Sequence, residues 1–542
     1  MRKVQIVGSL AFLMLVASAA PAQAQTFTQL YLFGTNPGDP IDGGTTPNVV
    51  AQGRDGNLYT TSYSGGANTL GTVYKVTPSG TLTVLYSFDS THGANPWSGV
   101  ILGADGNFYG TTAAGGTLGN GTVFKMTPTG TLTVLYNFTG ASDGGTPLAP
   151  PIQGTDGNLY GTAQYGGTGY GIIYKITLSG TFSTLHEFNG TDGSTPKANL
   201  VQASNGTFYG TTSTGGNNSC SCGTVFSITS SGTLTVLYNF DNTHGNDPSY
   251  ASLIQGSNGN FYGTTEFGGA SGDGVIYEIT PAGTVTVLHS FSGSDGTIPL
   301  VALTQATDGN LYTSVINGGT GGAGTLVRIS PSGANFSVQY NYTGDDGSPA
   351  SPLVQNTNGI FYGKTEHGEP IGDGLFYSFS EGSAAFATFL PGQSAGKEGA
   401  RIGILGQGFT SSSVVKFGGV QATTVALSGA TFLTATVPAG ALTGSITVTT
   451  GATTLTTPLK FKVKPTIISF SPPSGPVGTP VTVTGTGLTQ ATKVTFNGTS
   501  AGFTVNSDTQ ITATVPTGAT TGKIAVTTKG GTASSTTSFT VN

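Results

Sequence analysis

Short segments in which apolar and polar residues alternate, separated by glycine-rich turns, recur from Thr26 to Phe379. Such alternation is typical of β-strands with one buried face, and no part of this region has the apolar period of a helix. Each recurrence contains Asp-Gly-Asn-(Leu/Phe)-Tyr or a close variant, at a spacing of about 50 residues. The tyrosines of the seven copies are Tyr59, Tyr109, Tyr160, Tyr209, Tyr262, Tyr312 and Tyr362. A unit this short cannot bury its apolar face alone, so the pattern predicts units that stack on their neighbours.

The second repeat shows how one unit is built. Its apolar segments are residues 99–102, 108–112, 122–126 and 131–138. An Asp-Gly-Asn turn separates the first two segments, and Asp-Gly supplies the positive φ values that a tight hairpin turn needs. Four antiparallel strands in a unit of about 50 residues form the blade of a β-propeller.

The two ends of the repeat region complement each other. A further copy of the fourth strand, residues 27–33, precedes the first unit, whereas the blade pattern ends at Ser380 after three strands of the seventh. The N-terminal strand is therefore predicted to complete the seventh blade, which leaves no strand edge open. We predict an all-β fold that begins with a seven-bladed β-propeller over residues 25–382, closed by the N-terminal strand.

The repeat phrases resemble those of a known family. Residues 121–138, Gly-Thr-Val-Phe-Lys-Met-Thr-Pro-Thr-Gly-Thr-Leu-Thr-Val-Leu-Tyr-Asn-Phe, and residues 105–112, Asp-Gly-Asn-Phe-Tyr-Gly-Thr-Thr, resemble the GloVer tandem repeat of exported bacterial proteins. That family carries no agreed activity, so the resemblance implies an exported repeat protein without implying a particular chemistry.

The C-terminal part of the chain has a different composition. Tyrosine disappears near residue 381, and the phrases Gly-x-Gly-(Phe/Leu), Val-x-Phe and Thr-Val-Pro-x-Gly then occur twice in the same order. Alternating strands with turn signals at this spacing predict two immunoglobulin-like sandwiches, over residues 383–463 and 464–542. The order of the phrases resembles IPT/TIG domains, which implies spacer or adhesive modules. The first copy lacks the opening Ser-Pro-Pro-Ser-Gly-Pro-Val-Gly and is a degenerate member.

The N-terminus and the charge restrict where the protein acts. Residues 1–24 have the pattern of a secretory signal peptide, with Arg2 and Lys3 before an apolar stretch and Ala22-Gln23-Ala24 at its end. We therefore expect a secreted or cell-surface bacterial protein with no membrane insertion after cleavage. The net charge of −6 and the lack of a basic stripe argue against nucleic acid. A polysaccharide or a cell-surface protein remains as partner, and we expect a monomer.

One set of recurring polar residues forms a candidate ligand ring. The connection from each outer strand to the next inner strand contains Asp or His before Gly, and these positions are Asp42, His92, Asp143, Asp192, His244, Asp295 and Asp346. Arranged around the propeller axis, on the face of the glycine-rich loops, they could hold calcium or bond sugar hydroxyls. Asp before Gly is also ordinary turn chemistry, and this second interpretation is favoured.

A second candidate is a charged cluster in the seventh repeat. Lys364, Glu366, His367 and Glu369 stand where other repeats have Thr, small residues and Gly-Gly. A His-based or paired-carboxylate site is one interpretation. The favoured alternative is a polar, solvated surface where the closing blade meets the next domain.

The remaining candidates are few. Cys220 and Cys222 could form a disulfide after export, and two such ligands do not complete a metal site. No cofactor is predicted apart from calcium on the candidate ring. His186 and His289 replace fourth-strand tyrosines and are interpreted as structural. Trp97 is interpreted as a loop anchor, with stacking on a sugar ring as the alternative.

These observations favour a secreted, non-catalytic binding or adhesion protein. No nucleophile elbow, phosphate loop or metal-binding helix motif is found in the sequence, and we assign no catalytic residue. A propeller enzyme, either a lyase or a glycan-cleaving enzyme, remains an alternative because Asp-Gly-Asn-Leu-Tyr resembles a blade motif of the streptogramin lyases. The match ends at that turn. A purely structural surface protein is the third interpretation.

Overall fold

The computed structural model describes residues 25–41, 48–349, 351–368 and 372–542, and all the regular structure in these ranges is β-strand. The predicted signal peptide, Asp42 and Glu369 lie outside the described residues. A search of the described ranges for a helix long and apolar enough to cross a membrane finds none.

Six four-stranded antiparallel sheets follow one another between residues 51 and 341. Their strands are called inner, second, third and outer in chain order. The inner strands are Ala51–Gln52, Val100–Leu102, Ile152–Gln153, Val201–Gln202, Ile254–Gln255 and Thr304–Gln305. The second strands are Leu58–Ser62, Phe108–Thr112, Leu159–Ala163, Phe208–Thr212, Phe261–Thr265 and Leu311–Val315. The third strands are Thr72–Val76, Thr122–Met126, Ile172–Ile176, Thr224–Ile228, Val275–Ile279 and Thr325–Ile329. The outer strands are Leu82–Ser87, Leu132–Asn137, Phe182–Glu187, Leu234–Asn239, Val285–Ser290 and Ser337–Asn341.

The seventh repeat takes its outer strand from the other end of the chain. Its own strands are Val354–Gln355, Phe361–Glu366 and Leu375–Ser380, and Thr26–Leu32 pairs antiparallel with the last of these. Two short strands add to the edges, because Ser348–Pro349 pairs with the second strand and Pro40–Ile41 pairs with Ser64–Gly65 in the first repeat.

Burial explains why the sheets pack face to face. In the first six repeats every residue of the second strands is buried, and the third strands are buried except at their fourth position. Such strands need apolar neighbours on both faces. Adjacent repeats supply them through stacked rings, such as Tyr59 on Phe108, with centroids 4.0 Å apart, and Tyr209 on Phe261 at 4.1 Å.

A glutamine at the end of most inner strands ties neighbouring repeats together. Gln153 Oε1 accepts a hydrogen bond from the backbone N–H of Ala104 in the preceding repeat, at 2.7 Å. The glutamines of the fourth to seventh repeats do the same. Gln52 Oε1 accepts the N–H of Thr357 at 3.0 Å, so the same bond joins the seventh repeat to the first.

Two further units follow the repeats, each with its own apolar core. In the first, one sheet contains Thr388–Phe389, Arg401–Leu405, Phe432–Thr436 and Val425–Leu427. Its second sheet contains Val420–Gln421, Val414–Phe417, Ile446–Thr450 and Thr453–Thr456, and Ala395–Gly396 pairs with Lys462–Val463. In the second unit, one sheet contains Thr466–Ser471, Pro480–Thr486, Gln510–Thr514 and Phe503–Ser507. The other contains Ser474–Gly475, Gly531–Val541, Gly522–Thr528, Ala491–Phe496 and Thr499–Ala501.

The first of these units packs against one end of the repeat sheets. We call this end the turn face, because it carries the Asp-Gly-Asn turns. Thr431 Oγ1 donates to the carbonyl oxygen of Arg54 at 2.7 Å, and the Arg54 guanidinium lies 4.4 Å from the centroid of the Phe432 ring. Gln407 Nε2 donates to Thr357 Oγ1 at 2.9 Å. The opposite end, the loop face, carries the glycine-rich loops.

Candidate functional site

Two sets of loops lie together on the loop face. Isolated β-bridges join the connections before the inner strands to the glycine-rich loops, for example Ala94 to Ala114 and Thr297 to Asn317. The candidate ring and the glycine-rich loops therefore share this face, as predicted.

The carboxylates of the candidate ring are occupied within their own loops. Tyr136 donates its hydroxyl to Asp143 Oδ2 at 2.8 Å, and the Thr139 N–H donates to the same oxygen at 2.9 Å. Burial alone would raise the pKa of Asp143, but the bonds from Thr139 and Tyr136 outweigh it and hold the pKa below its ordinary value. Asp192, Asp295 and Asp346 make equivalent bonds to the outer strand and to the backbone.

At two positions of the candidate ring the residue is histidine, and the carboxylate that closes the loop is an aspartate three residues earlier. The His92 N–H and Nδ1 both bond to Asp89, at 2.9 and 2.8 Å, and His244 makes the same pair of contacts with Asp241. Among the described residues, no group of three or more His, Cys, Asp or Glu side chains could hold a metal ion. The structure therefore presents the described ring members as separate loop-closing groups rather than as one converging site.

His186 and His289 take over the tyrosine role of the outer strand. Their Nε2 atoms lie 2.8 Å from Asp192 and Asp295, and the His289 ring also stacks on Phe336 with centroids 3.6 Å apart. Cys220 and Cys222 are joined by a disulfide in a glycine-rich loop of the fourth repeat.

The charged cluster differs from its favoured interpretation. Lys364 and Glu366 lie in a second strand and are buried, so the prediction of a solvated surface is wrong for both. Lys364 Nζ donates to the carbonyl oxygen of Thr61 in the first repeat at 3.4 Å. At the equivalent position, Thr111 and Thr162 donate to carbonyl oxygens of the following repeat. Lys364 thus continues a series of bonds between repeats.

A second group of loop-face residues was not predicted as a site, apart from Trp97, whose stacking on a sugar ring was the alternative interpretation. Trp97 of the second repeat stacks on Tyr250 of the fifth, with centroids 6.2 Å apart and an interplanar angle of 27°. The rings of Tyr63 and Trp97 form a T-shaped pair with centroids 5.2 Å apart, and Lys197 Nζ lies 5.0 Å from the centroid of the Tyr250 ring. Side chains from four repeats therefore meet around one aromatic pair.

Two carboxylates adjoin this pair. Asp247 accepts hydrogen bonds from the hydroxyls of Ser213 and Ser249, and Lys197 Nζ donates to Ser249 Oγ at 3.4 Å. The Glu266 N–H donates to the Asp247 carbonyl at 2.9 Å. Burial raises the pKa of Glu266 to about 7, and the nearby Asp247 charge adds to the effect. We call Trp97, Lys197, Asp247, Ser249, Tyr250 and Glu266 the loop-face cluster.

The cluster occupies positions at which the repeats differ from one another. The residue after the recurring proline is Trp97, Leu148, Lys197, Ser249 or Leu300 in successive repeats. The residue after the second strand is Tyr63, Ala113, Gln164, Ser213, Glu266 or Ile316. These differences are visible when the repeats are aligned position by position, but the residues belong to no sequence motif.

Beneath the cluster lies a cavity of about 460 Å³ between the inner strands. Lys197 and Tyr250 line it at the loop face, and Phe386 and Pro458 line it at the turn face. Its walls are mainly aliphatic, with Leu200 among them.

Comparisons with known proteins confirm both the resemblance to the repeat family and the IPT/TIG domain at the C-terminal end. The Gloeobacter/Verrucomicrobia repeat matches residues 19–221 and 142–324, and the IPT/TIG domain matches residues 465–541. A search of the curated proteins finds no match.

Solved structures resemble the chain weakly. A fungal alcohol oxidase of the AA5 family, in complex with copper, is 12% identical and aligns over 95% of this chain and 99% of its own, with a TM-score of 0.45. A puromycin hydrolase is 12% identical over 63% of this chain and 54% of its own, with a TM-score of 0.41. SGBP-B, from a xyloglucan utilization locus in Bacteroides uniformis, is 23% identical over 28% of this chain and 48% of its own, with a TM-score of 0.15. At these values the likenesses carry no argument about activity. From the extent of the repeat match, the chain belongs to the Gloeobacter/Verrucomicrobia repeat family.

Proposed function

We propose that this protein is a secreted or cell-surface, non-catalytic binding protein that recognises an extracellular polysaccharide on its loop face. The scaffold is a seven-bladed β-propeller closed by the N-terminal strand, and the two C-terminal sandwiches act as spacers or adhesive modules. The protein acts as a monomer.

Contacts between the two ends of the repeat region support the closed scaffold. The N-terminal strand Thr26–Leu32 pairs with the last repeat strand, and Gln52 bonds to Thr357 as its counterparts do between consecutive repeats. Tyr362 and Phe376 of the seventh repeat share an apolar cluster with Tyr74 of the first.

The observation that carries the binding role is the stacked Trp97–Tyr250 pair with hydroxyl, ammonium and carboxylate groups around it. Aromatic faces pack against the C–H faces of sugar rings, while the polar groups bond to the hydroxyls. Three further aromatic side chains in loop-face loops are well exposed: Tyr165 at 51%, Tyr170 at 43% and Phe267 at 42%. Because the first sandwich covers part of the turn face, the loop face is the better surface for a long polymer.

A glycan-cleaving enzyme is the second candidate, favoured by the two carboxylates of the cluster. A pKa near 7 suits Glu266 to act as a general acid, and Asp247 supplies a second carboxylate beside it. Release of reducing ends from a polysaccharide, lost in Glu266→Gln, would establish this reaction.

Binding to a panel of immobilised polysaccharides tests the main proposal. The wild type should bind at least one member, and Trp97→Ala with Tyr250→Ala should weaken binding by about 30-fold, since each ring contributes about 1 kcal/mol. Ile468→Ala removes an equally apolar group, 66% exposed, from the C-terminal unit and should leave binding unchanged. Absence of binding across a broad panel would remove the polysaccharide role.

A further inference from the structure

Charge is distributed unequally between the two faces of the repeat domain. On the turn face, carboxylates meet cations: Lys125 Nζ lies 3.1 Å from Asp105, and Lys175 Nζ lies 3.3 Å from Asp156. These pairs offset each other, so the turn face presents little net charge.

On the loop face the carboxylates have neutral or titratable partners. Tyrosine, threonine and histidine groups bond to Asp89, Asp143, Asp192, Asp241, Asp295 and Asp346. Within the described part of the chain, no lysine or arginine forms an ion pair with any of these six. A face with this composition attracts cations and repels anions.

Lys197 is the exception, because it is a cationic side chain on the loop face. The other lysines and arginines between residues 25 and 382 are Arg54, Lys75, Lys125, Lys175, Arg328 and Lys364. Arg54 lies in an Asp-Gly-Asn turn, the next four lie in third strands near the turn face, and Lys364 is buried. Lys197 lies over Tyr250 and donates to Ser249, which leaves Asp247 and Glu266 as the acidic side of the cluster.

We propose that the loop-face cluster binds a sugar unit that carries a free, protonated amine. The sugar ring packs on the Trp97–Tyr250 pair, and its ammonium group points to the carboxylates of Asp247 and Glu266. An ammonium group has three donors and each carboxylate has several acceptor positions, so Asp247 can keep its two serine bonds while it binds the ligand. This inference rests on the proposed polysaccharide-binding function.

Neutral and acidic sugars suit the cluster less well. A neutral sugar would leave the two carboxylates of Asp247 and Glu266 with Lys197 as their one cationic neighbour in the cluster. A uronic or sulfated sugar would add a negative charge to a face already rich in carboxylates. The substitution that matters is therefore on the sugar nitrogen, where acetylation removes the charge.

The test compares two oligosaccharides of equal length, a β-1,4-linked glucosamine hexamer and its fully N-acetylated form, by titration calorimetry with the full mature chain. The wild type should bind the glucosamine hexamer about tenfold more tightly, as one charge-assisted contact of about 1.4 kcal/mol provides. Asp247→Asn and Glu266→Gln should each bring the ratio of the two affinities towards one. Asp143→Asn is the control, because it removes the same charge from the loop face outside the cluster. It should keep the preference for the glucosamine hexamer.

Each other outcome has a distinct meaning. Equal affinity for the two hexamers, or a preference retained in the double variant, would overturn the amine inference while polysaccharide binding stands. Lack of binding to every glycan would remove the proposed function itself. Binding of oligolysine that depends on Asp247 and Glu266, without any saccharide binding, would overturn the sugar proposal in favour of a basic protein partner. If Asp247→Asn unfolds in a thermal melt, because Asp247 accepts the Ser213 and Ser249 bonds, Glu266→Gln decides alone.

Discussion

On the turn face, four of the repeats present the same arrangement, in which the tyrosine of the Asp-Gly-Asn phrase donates to the aspartate of its own turn at 2.7 to 2.9 Å. On the loop face, different repeats present different side chains at the same position, such as Trp97 in the second and Lys197 in the fourth. The backbone of the loops is nevertheless similar, since Asn95 and Asp247 both precede proline with positive φ values of 54° and 58°.

The difference between the faces separates two tasks. Repetition on the turn face maintains the bonds between sheets, so a change there should act on folding. Variation on the loop face leaves these bonds intact, so a change there should act on recognition. Experiments that alter one face at a time test this division.

The largest effect is expected from removal of the N-terminal strand. Deletion of residues 26–33 of the mature chain exposes the edge of Leu375–Ser380 and removes Phe33, which is fully buried. Each large apolar side chain lost costs about 2 kcal/mol, so the melting temperature of the repeat domain should fall steeply. Deletion of residues 465–541 is the control and should leave that transition in place. An unchanged transition after the N-terminal deletion would refute closure by this strand.

A smaller effect is expected from a pair of glutamine substitutions. Gln52→Ala breaks the bond from the first repeat to the seventh, and Gln153→Ala breaks the equivalent bond from the third to the second. The two residues are almost equally buried, and each loss should cost about 1 to 3 kcal/mol in urea unfolding. A closed ring predicts similar costs. A cost for Gln153→Ala alone would show that the ring is open.

The loop-face cluster and the turn-face aspartates should also differ in the sign of their pH dependence. Burial raises the pKa of Glu266, so its protonated form is favoured in the fold and its contribution is lost as the pH rises from about 4.5 through about 7. Glu266→Gln should therefore raise the melting temperature at pH 8 and change it little at pH 4.

Asp105 on the turn face should behave in the opposite way. Burial would raise the pKa of Asp105, but bonds from Asn107, Tyr109 and Lys125 outweigh it and lower the pKa. Its contribution is present above the ordinary pKa of an aspartate and is lost as the pH falls through the lowered value. Asp105→Asn should destabilise the protein at pH 7 and lose this effect in acid. The same sign for both variants would contradict the environments assigned to Glu266 and Asp105.

The smallest effect is expected from calcium. Because Asp143, Asp192 and Asp295 are bonded within their own loops, calcium should leave the melting temperature unchanged. Their combined change to Asn keeps an acceptor for the backbone N–H but removes the charge that lowers the pKa of Asp143, so the melting temperature should fall equally with and without calcium. A rise in melting temperature with calcium, lost in the triple variant, would restore the ring as a cation site.

The sequence predicts the scaffold well because each repeat carries its own signals for strands and turns. The second-strand tyrosines, the Asp-Gly turns and the N-terminal copy of the outer strand all correspond to elements of the structure. The burial of Lys364 was not predictable, because charge in a strand normally indicates a solvated face and its carbonyl partner, Thr61, lies at the other end of the repeat region.

The loop-face cluster escapes prediction for a similar reason. Trp97 and Tyr250 belong to the second and fifth repeats, and they meet only once the intervening sheets are folded. Glu266 and Asp247 lie in different loops of the fifth repeat, and neither belongs to a motif. What the sequence does contain is the departure of these residues from their counterparts in other repeats.

The most direct test of the division between the faces measures binding and stability together in two variants. Trp97→Ala with Tyr250→Ala should lose about 30-fold in affinity for the polysaccharide identified by the panel, while its unfolding transition stays well above the temperature of the binding assay. Gln153→Ala should lower the melting temperature and keep the affinity. If the aromatic variant binds as well as the wild type, or if both variants lose binding only in proportion to their stability, the loop face is not the recognition surface.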